Sequence, residues 1–97
     1  LKEKGIDYLT GLSWTTDGLF RETAAKRERR MREGCLVVEM EAAALFAVAQ
    51  YRGIELGQVV YGGDLVLPDA WDRRGWDLRA DDRERLFWLA VEACCRI

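Results

Sequence analysis

The chain has 97 residues, of which 49% are hydrophobic and 33% are charged, and its formal net charge is -2. This length allows one modest core and excludes two independent domains, so we expect a single domain over residues 1–97. The near balance of charge argues against nucleic acid or a membrane surface as a partner. The sequence contains no histidine, which excludes Ser-His-Asp and Cys-His pairs and the usual imidazole ligands of zinc.

No apolar run approaches the roughly 20 residues needed to cross a bilayer, and the start of the chain lacks the regions of a signal peptide. The three cysteines, Cys35, Cys94 and Cys95, have neither an even count nor metal-ligand spacing. We therefore predict a cytoplasmic protein without a metal site. The first five residues read like the end of a helix closed by Gly5, so we expect the chain to begin inside a longer protein.

The first half of the chain alternates strand and helix signals. We predict a strand over residues 8–15, a loop over residues 15–18, a charged helix over residues 20–33 that stops at Gly34, and an apolar strand over residues 35–38. The charged helix carries six basic and three acidic residues. An anion-binding patch and a solvated helix face both account for it, and we assign it no binding role.

The second half begins with an alanine-rich helix that ends at Gly53. Its small residues allow close approach to a sheet, so we predict a core helix in which Leu45, Phe46 and Val48 supply the bulk. A third strand is predicted over residues 54–61, an irregular stretch over 69–82, and a last helix from Asp81 onward. One face of that helix carries four apolar residues: Leu86, Ala90, Ala93 and Ile97. This order predicts an α/β fold, a layered α/β/α sheet with helices covering a thin three-stranded sheet.

Each of the three predicted strands ends at polar residues. These residues are Thr-Thr-Asp at 15–17, Glu-Met-Glu at 39–41, and Asp64 after two glycines. Because ligands of α/β sheets gather beyond the carboxyl ends of strands, the three ends are expected to converge on one pocket. Glu39 and Glu41 lie between an apolar strand and an alanine-rich helix, where each carboxylate needs a partner or a ligand. Capping of the helix amino terminus is the alternative explanation.

The string VEMEAAALF at residues 38–46 closely resembles the signature of the nucleoside phosphorylase family, which comprises hexameric purine and uridine enzymes and nucleosidase relatives. Residues 14–17, followed by residues 20–23, resemble the base-side loop of the family. Residues 61–64 lie where a family strand delivers an acid. The resemblance covers nearly all of the chain, and it implies the carboxy-terminal part of a phosphorylase/hydrolase-like fold.

The resemblance also implies roles for individual residues. Glu41 would accept hydrogen bonds from the 2′ and 3′ hydroxyls of ribose, Met40 would pack under the sugar, and Glu39 would support the turn. The chemistry of the carboxylate agrees, because it is an acceptor-only group and its charge favours the cationic character that grows on the sugar as the glycosidic bond stretches.

On the base side, the resemblance implies that Asp64 protonates or hydrogen-bonds N7 of a purine, as a general acid does. Leu19 and Phe20 would lie against the base. The alternatives are a solvated loop aspartate at Asp64 and burial of Phe20 in the core. An arginine between residues 71 and 76 is a further candidate, as a partner for a substrate anion.

The activity implied is phosphorolysis of a purine nucleoside to base and ribose 1-phosphate, with phosphate as co-substrate and no cofactor. The family's glycine-rich phosphate loop lies in an amino-terminal half that has no counterpart among these residues, so activity is expected to need that half. We also expect a homo-oligomer. A nucleosidase, in which water replaces phosphate, and a truncated, inactive, self-associating module are the alternatives.

Overall fold

The computed structural model describes residues 1–96. It contains three α-helices, α1 (Ala24–Arg32), α2 (Ala42–Arg52) and α3 (Ala80–Cys94), and four short strands, β1 (Leu12–Thr15), β2 (Cys35–Glu39), β3 (Leu65–Val66) and β4 (Trp71–Asp72). The predicted α/β class is confirmed. The chain forms two compact units, Leu1–Glu41 and the residues from Ala42 onward. The expectation of a single domain stays a prediction.

The first unit is a strand–helix–strand arrangement. β1 and β2 pair in parallel, and the register places Leu12 opposite Cys35 and Thr15 opposite Glu39. The ladder is irregular between Leu12 and Ser13. Both predicted strands are therefore confirmed, although β1 is shorter at its start than the sequence indicated. The parallel pairing matters for function, because it brings the carboxyl ends of both strands to the same edge of the sheet.

The predicted charged helix is divided in two. A short 3-10 helix, Leu19–Arg21, comes first, and α1 begins only after Thr23. Thr23 has an extended backbone, and its side chain accepts a hydrogen bond from the backbone N–H of Lys26 at 3.3 Å. A threonine in this position satisfies one of the free N–H groups of the helix, so α1 starts there. No residue of α1 is buried, which confirms the predicted exposed helix.

In the second unit, α2 ends where the sequence predicted. Gly53 adopts φ 64°, a left-handed conformation that glycine tolerates, and its N–H donates to the carbonyl of Gln50 at 3.2 Å. The predicted core role of α2 is wrong for its large residues, because the exposed fractions are 55% for Leu45, 43% for Phe46 and 58% for Val48. Among its residues, only two alanines, Ala42 and Ala49, are buried.

The predicted third strand is also wrong. Residues 54–61 form no strand, and the two sheets of residues 1–96 have two strands each. An apolar, β-branched segment becomes a strand only when a neighbour supplies the hydrogen bonds of a ladder.

A small antiparallel hairpin reaches into the stretch over 69–82 that was predicted as irregular, and β4 is the strand that lies within it. β3 pairs with β4, with Leu65 opposite Asp72 and Val66 opposite Trp71, and the N–H of Leu67 donates to the carbonyl of Ala70 at 2.9 Å. A short 3-10 helix, Trp76–Leu78, follows. α3 then begins one residue before the predicted start, and the predicted apolar position Ile97 lies outside the described residues. None of the helices described has the length and apolar character needed to cross a membrane.

Candidate functional site

The acidic turn, defined as Glu39, Met40 and Glu41, follows β2 at the edge where β1 also ends. The backbone N–H of Thr16 donates to the carbonyl of Glu39 at 2.8 Å, so the two strands stay joined one residue beyond β1. Two of the three polar strand ends predicted from the sequence are thus brought together, as expected for parallel neighbours. Asp64 lies in the second unit and does not follow a strand.

The half-buried carboxylate of Glu39 is engaged by the protein on both oxygens. The hydroxyl of Thr15 donates to Oε1, and the backbone N–H of Glu41 donates to Oε2 at 2.9 Å. Such charge-assisted hydrogen bonds are stronger than neutral ones and offset the cost of removing a carboxylate from water. Glu39 therefore links the end of β1 to the backbone of the turn.

The side chain of Glu41 has a different environment. Its Oε2 accepts a hydrogen bond from the backbone N–H of Met40 at 3.2 Å, and the residue is exposed. Within residues 1–96 no further hydrogen bond is made by Oε1, so this oxygen can accept one from a ligand hydroxyl. Met40 is 47% exposed beside it. The turn thus presents an open carboxylate next to an apolar thioether side chain.

Leu19 and Phe20 lie on the 3-10 helix that follows β1, and both are open to solvent. The exposed fraction is 65% for Leu19 and 93% for Phe20, so burial of Phe20 in the core is wrong. The ring of Phe20 lies over Gly18, where an added Cβ would meet ring atoms at 3.4 Å. An exposed ring in this place is available for stacking on a base. The base contact itself stays a prediction.

Asp64 accepts one side-chain hydrogen bond within the second unit, and the two glycines before it lie close to further residues of that unit. The indole N–H of Trp71, in β4, donates to Oδ2 of Asp64. The carbonyl of Gly62 accepts a hydrogen bond from the guanidinium of Arg79 at 3.4 Å. A Cβ added to Gly63 would lie 3.5 Å from Cβ of Trp76, an ordinary contact distance. Asp64 itself remains exposed, so its second oxygen is accessible to a ligand.

The arginines of the loop between residues 71 and 76 are engaged within that loop. The guanidinium of Arg73 lies 5.6 Å from the ring centroid of Trp71 and 3.9 Å from a carboxylate oxygen of Asp77. Arg74 adopts φ 50°, and its N–H donates to the carboxylate of Asp72 at 3.0 Å. Both arginines keep exposed charge, and the pairing with a substrate anion stays a prediction.

The basic residues of α1 are partly neutralised by their own neighbours. Arg30 and Arg29 donate hydrogen bonds to the carboxylate of Glu33 at 2.7 and 2.9 Å, and these bonds lower the pKa of Glu33. The group is fully exposed, so solvent and salt screen the interaction. This pairing favours the solvated-face interpretation of α1 over an anion patch.

Sequence reasoning missed two side chains, the hydroxyl of Thr15 and the indole of Trp71. The first is visible only from the register of two strands that are far apart in the chain. A local signal existed for the second, because Pro68-Asp69 between an apolar pair and Trp71 is typical of a turn.

Comparison with protein-family models gives a match to the phosphorylase superfamily over residues 1–86. The match includes the acidic turn, the loop with Phe20, and Asp64. This chain therefore belongs to the phosphorylase superfamily, and its mixed α/β structure is compatible with a partial phosphorylase-like fold. Neither the curated proteins nor the solved structures gave a match to the chain.

Proposed function

We propose that this chain supplies the ribose and base contacts of an enzyme that cleaves the N-glycosidic bond of a purine nucleoside by phosphorolysis. Membership of the phosphorylase superfamily supports a nucleoside substrate. The observation that carries the proposal is the exposed carboxylate of Glu41, whose Oε1 is directed to no protein donor among the described residues. The products are the free base and ribose 1-phosphate.

Glu41 is the ribose receptor in this proposal. Its carboxylate accepts hydrogen bonds from the 2′ and 3′ hydroxyls, and Met40 offers apolar contact to the sugar. As the bond between C1′ and the base nitrogen stretches, positive charge grows on the sugar, and a fixed carboxylate stabilises that charge more than it stabilises the ground state. Glu39 contributes by holding the turn, since both of its oxygens have protein donors.

Asp64 is the proposed acid on the base side. In its protonated form it donates a hydrogen bond or a proton to N7 of the purine, so that the electron pair of the breaking C1′–N9 bond is accommodated by the ring. A phosphate oxygen forms the new bond to C1′. Phe20, which is 93% exposed, is available to stack on the base, with Leu19 beside it.

Phosphate is the co-substrate, and no cofactor is required. We place the phosphate contacts on protein outside residues 1–97, because the chain has no glycine-rich turn between a strand and a helix of the phosphate-binding kind. A cytoplasmic location belongs to the same proposal, and three free cysteines, Cys35, Cys94 and Cys95, are consistent with a reducing compartment.

A self-associating module is the second candidate, and the exposed apolar side chains favour it. Leu9, Tyr51 and Leu78 are 87%, 88% and 85% exposed, and a partner that covers such side chains removes apolar surface from water. Homo-oligomer formation is compatible with either candidate. Sedimentation velocity over a range of concentrations tests it, and association without any nucleoside binding would favour the inert module.

Calorimetric titration tests the enzymatic proposal. Native chain, Glu41→Ala and the exposed control Glu28→Ala are titrated with inosine, adenosine and uridine, with and without phosphate. Because Glu41 is proposed to accept two charge-assisted hydrogen bonds, its loss is expected to weaken inosine binding at least roughly 10-fold. Glu28→Ala should bind like the native chain. Equal affinity of native chain and Glu41→Ala, or no binding by the native chain, would reject the ribose site.

A turnover assay with and without phosphate separates the two bond-cleaving reactions. Release of base that requires phosphate supports phosphorolysis. Release that proceeds equally in its absence supports a nucleosidase, in which a water oxygen forms the bond to C1′.

A further inference from the structure

Thr15, the last residue of β1, carries the further inference. We propose that Thr15 is a positioning residue for the acidic turn: its hydroxyl fixes the carboxylate of Glu39, and Glu39 in turn fixes the backbone that carries Glu41. The consequence for ribose rests on the proposed function. The hydrogen-bond relay itself does not, because it is a property of the turn.

The relay consists of three consecutive contacts. The hydroxyl of Thr15 donates to Oε1 of Glu39, the backbone N–H of Glu41 donates to Oε2 of Glu39 at 2.9 Å, and the N–H of Met40 donates to Oε2 of Glu41 at 3.2 Å. The first two contacts share the carboxylate of Glu39, and the last two share Glu41, whose backbone N–H makes one and whose side chain makes the other. The orientation of the Glu41 carboxylate thus depends on a hydroxyl that lies on another strand.

The sheet places that hydroxyl within reach. Thr15 lies opposite Glu39 in the parallel register, and the hydrogen bond from the N–H of Thr16 to the carbonyl of Glu39, 2.8 Å long, prevents the two strands from sliding. Without a donor from Thr15, Oε1 of a half-buried carboxylate would lose its short contact, and the side chain would turn toward water. Oε2 would then leave the N–H of Glu41.

Thr16 provides a matched comparison within the same strand end. Its hydroxyl donates to the carbonyl of Gly18 at 3.3 Å, and the residue is 4% exposed. Replacing either threonine by valine removes one hydroxyl and keeps the side-chain shape. Of these two hydroxyls, that of Thr15 contacts the Glu39 carboxylate and that of Thr16 contacts a backbone carbonyl, so only Thr15→Val is expected to move the acidic turn.

The effect of Thr15→Val on nucleoside affinity follows from the ribose hydroxyls that Glu41 is proposed to bind. If Glu41 binds the 2′ and 3′ hydroxyls, a displaced Glu41 weakens only ligands that carry them. Inosine affinity therefore falls in Thr15→Val, by roughly 2- to 10-fold for one net hydrogen bond, while the affinity for 2′,3′-dideoxyinosine is unchanged. General damage to the fold would weaken both ligands.

The experiment compares the full native chain with Thr15→Val, Thr15→Ser and Thr16→Val. The first measurement is the backbone amide resonance of Glu41 in nitrogen-15 spectra, which needs no ligand. We expect it to move in Thr15→Val and to stay near its native position in Thr15→Ser and Thr16→Val, because serine keeps the donor. The second measurement is the calorimetric affinity for inosine and for 2′,3′-dideoxyinosine. We expect Thr15→Val to lose affinity for inosine and to keep its affinity for 2′,3′-dideoxyinosine.

The outcomes separate the relay from the proposed function. An unmoved Glu41 amide in Thr15→Val overturns the relay, whatever the chain binds. A moved amide with no inosine binding by the native chain supports the relay and rejects the ribose site. Equal loss of both ligands assigns Thr15 a general structural role and overturns ribose positioning. Should Thr15→Val fail to fold, Thr15→Ala decides, because it also removes the hydroxyl donor but places no methyl group against the Glu39 carboxylate.

Discussion

The two acids proposed for the chemistry are held in different ways. Glu41 is positioned by a relay that begins on another strand, where Thr15 and Glu39 are 24 residues apart in the chain. Asp64 is positioned by the indole of Trp71, only 7 residues away, within a hairpin whose strands have two residues each. The proposed ribose receptor therefore depends on long-range strand pairing, and the proposed base-side acid depends on local structure. The two should respond to different substitutions.

The largest effect is expected from Gly11→Ala, which acts on the strand pair. A Cβ at residue 11 would collide with Cδ1 and Cγ of Leu36, so the side chain of Leu36 or the start of β1 must move. Leu36 is 58% exposed and can turn aside, so the expected cost is that of an unfavourable rotamer, about 0.5–1.5 kcal/mol of unfolding free energy. Urea unfolding measures it, and the Glu41 amide should shift while the Trp71 indole resonance does not.

Two controls accompany Gly11→Ala. Gly57→Ala places a Cβ in open space and should leave the unfolding free energy unchanged. Adding Leu36→Ala to Gly11→Ala removes the colliding atoms and should restore part of the loss. A Gly11→Ala chain as stable as the native one would show that the contact with Leu36 relaxes without cost.

Asp64→Ala acts on the other acid and sharpens the comparison on the ligand side. Asparagine would still donate a hydrogen bond to N7 through its amide, whereas alanine removes the group, and the loss of roughly one hydrogen bond is worth about 1 kcal/mol or 5-fold in affinity for inosine. The matched ligand is 7-deazainosine, which has no N7 acceptor. Calorimetry should show the loss for inosine alone, and an equal loss for both nucleosides would remove Asp64 from the base contact.

Trp71→Phe is expected to have a smaller effect, since it removes one exposed hydrogen bond to Asp64 and keeps an aromatic ring in β4. Inosine affinity should fall by roughly 2-fold, and dideoxyinosine affinity should fall equally, because ribose hydroxyls are not involved. Trp88→Phe, at a residue 60% exposed on α3, is the control. A loss of affinity for inosine alone would show that Trp71 affects ribose binding, and would contradict the separate positioning of the two acids.

The smallest effect concerns α1, which joins the paired strands. The folded-state pKa of Glu33 lies below its ordinary value because Arg30 and Arg29 donate to its carboxylate. The ionised group therefore stabilises the fold above its unfolded-state pKa, and this contribution disappears as pH falls through the lower folded-state pKa. Urea unfolding of Glu33→Gln should show a shallower loss of stability below about pH 4 than the native chain. In the control Glu28→Gln, the unfolding free energy should depend on pH as it does in the native chain.

The sequence was most informative where local chemistry decides the structure. Gly34 and Gly53 end their helices with left-handed backbones, as predicted, and the string at residues 38–46 identified the family that the family match over residues 1–86 confirms. The end of a helix at a glycine and the sequence signature of a family both depend on neighbouring residues in the chain, so they can be predicted from residue order.

Long-range pairing was harder to predict. Residues 54–61 have the composition of a strand, yet they form none, because strand formation depends on a partner that residue order does not reveal. The same limit hid the contact between Thr15 and Glu39. At Trp71 a loop around Pro68 can be predicted from local chemistry, but residue order did not reveal that this loop joins two paired strands.

The parallel pairing of β1 with β2 also has a consequence for the order of folding. Residues of the two strands that face each other are separated by the whole of α1, so the pair forms only after a loop of more than 20 residues closes. A hairpin such as that of β3 and β4 forms in about 1–10 μs. On refolding from urea, the indole of Trp71 should therefore reach its native environment before Thr15 meets Glu39. In a chain that refolds from urea, the proposed base-side acid would therefore reach its local contact first, and the proposed ribose receptor would be held last.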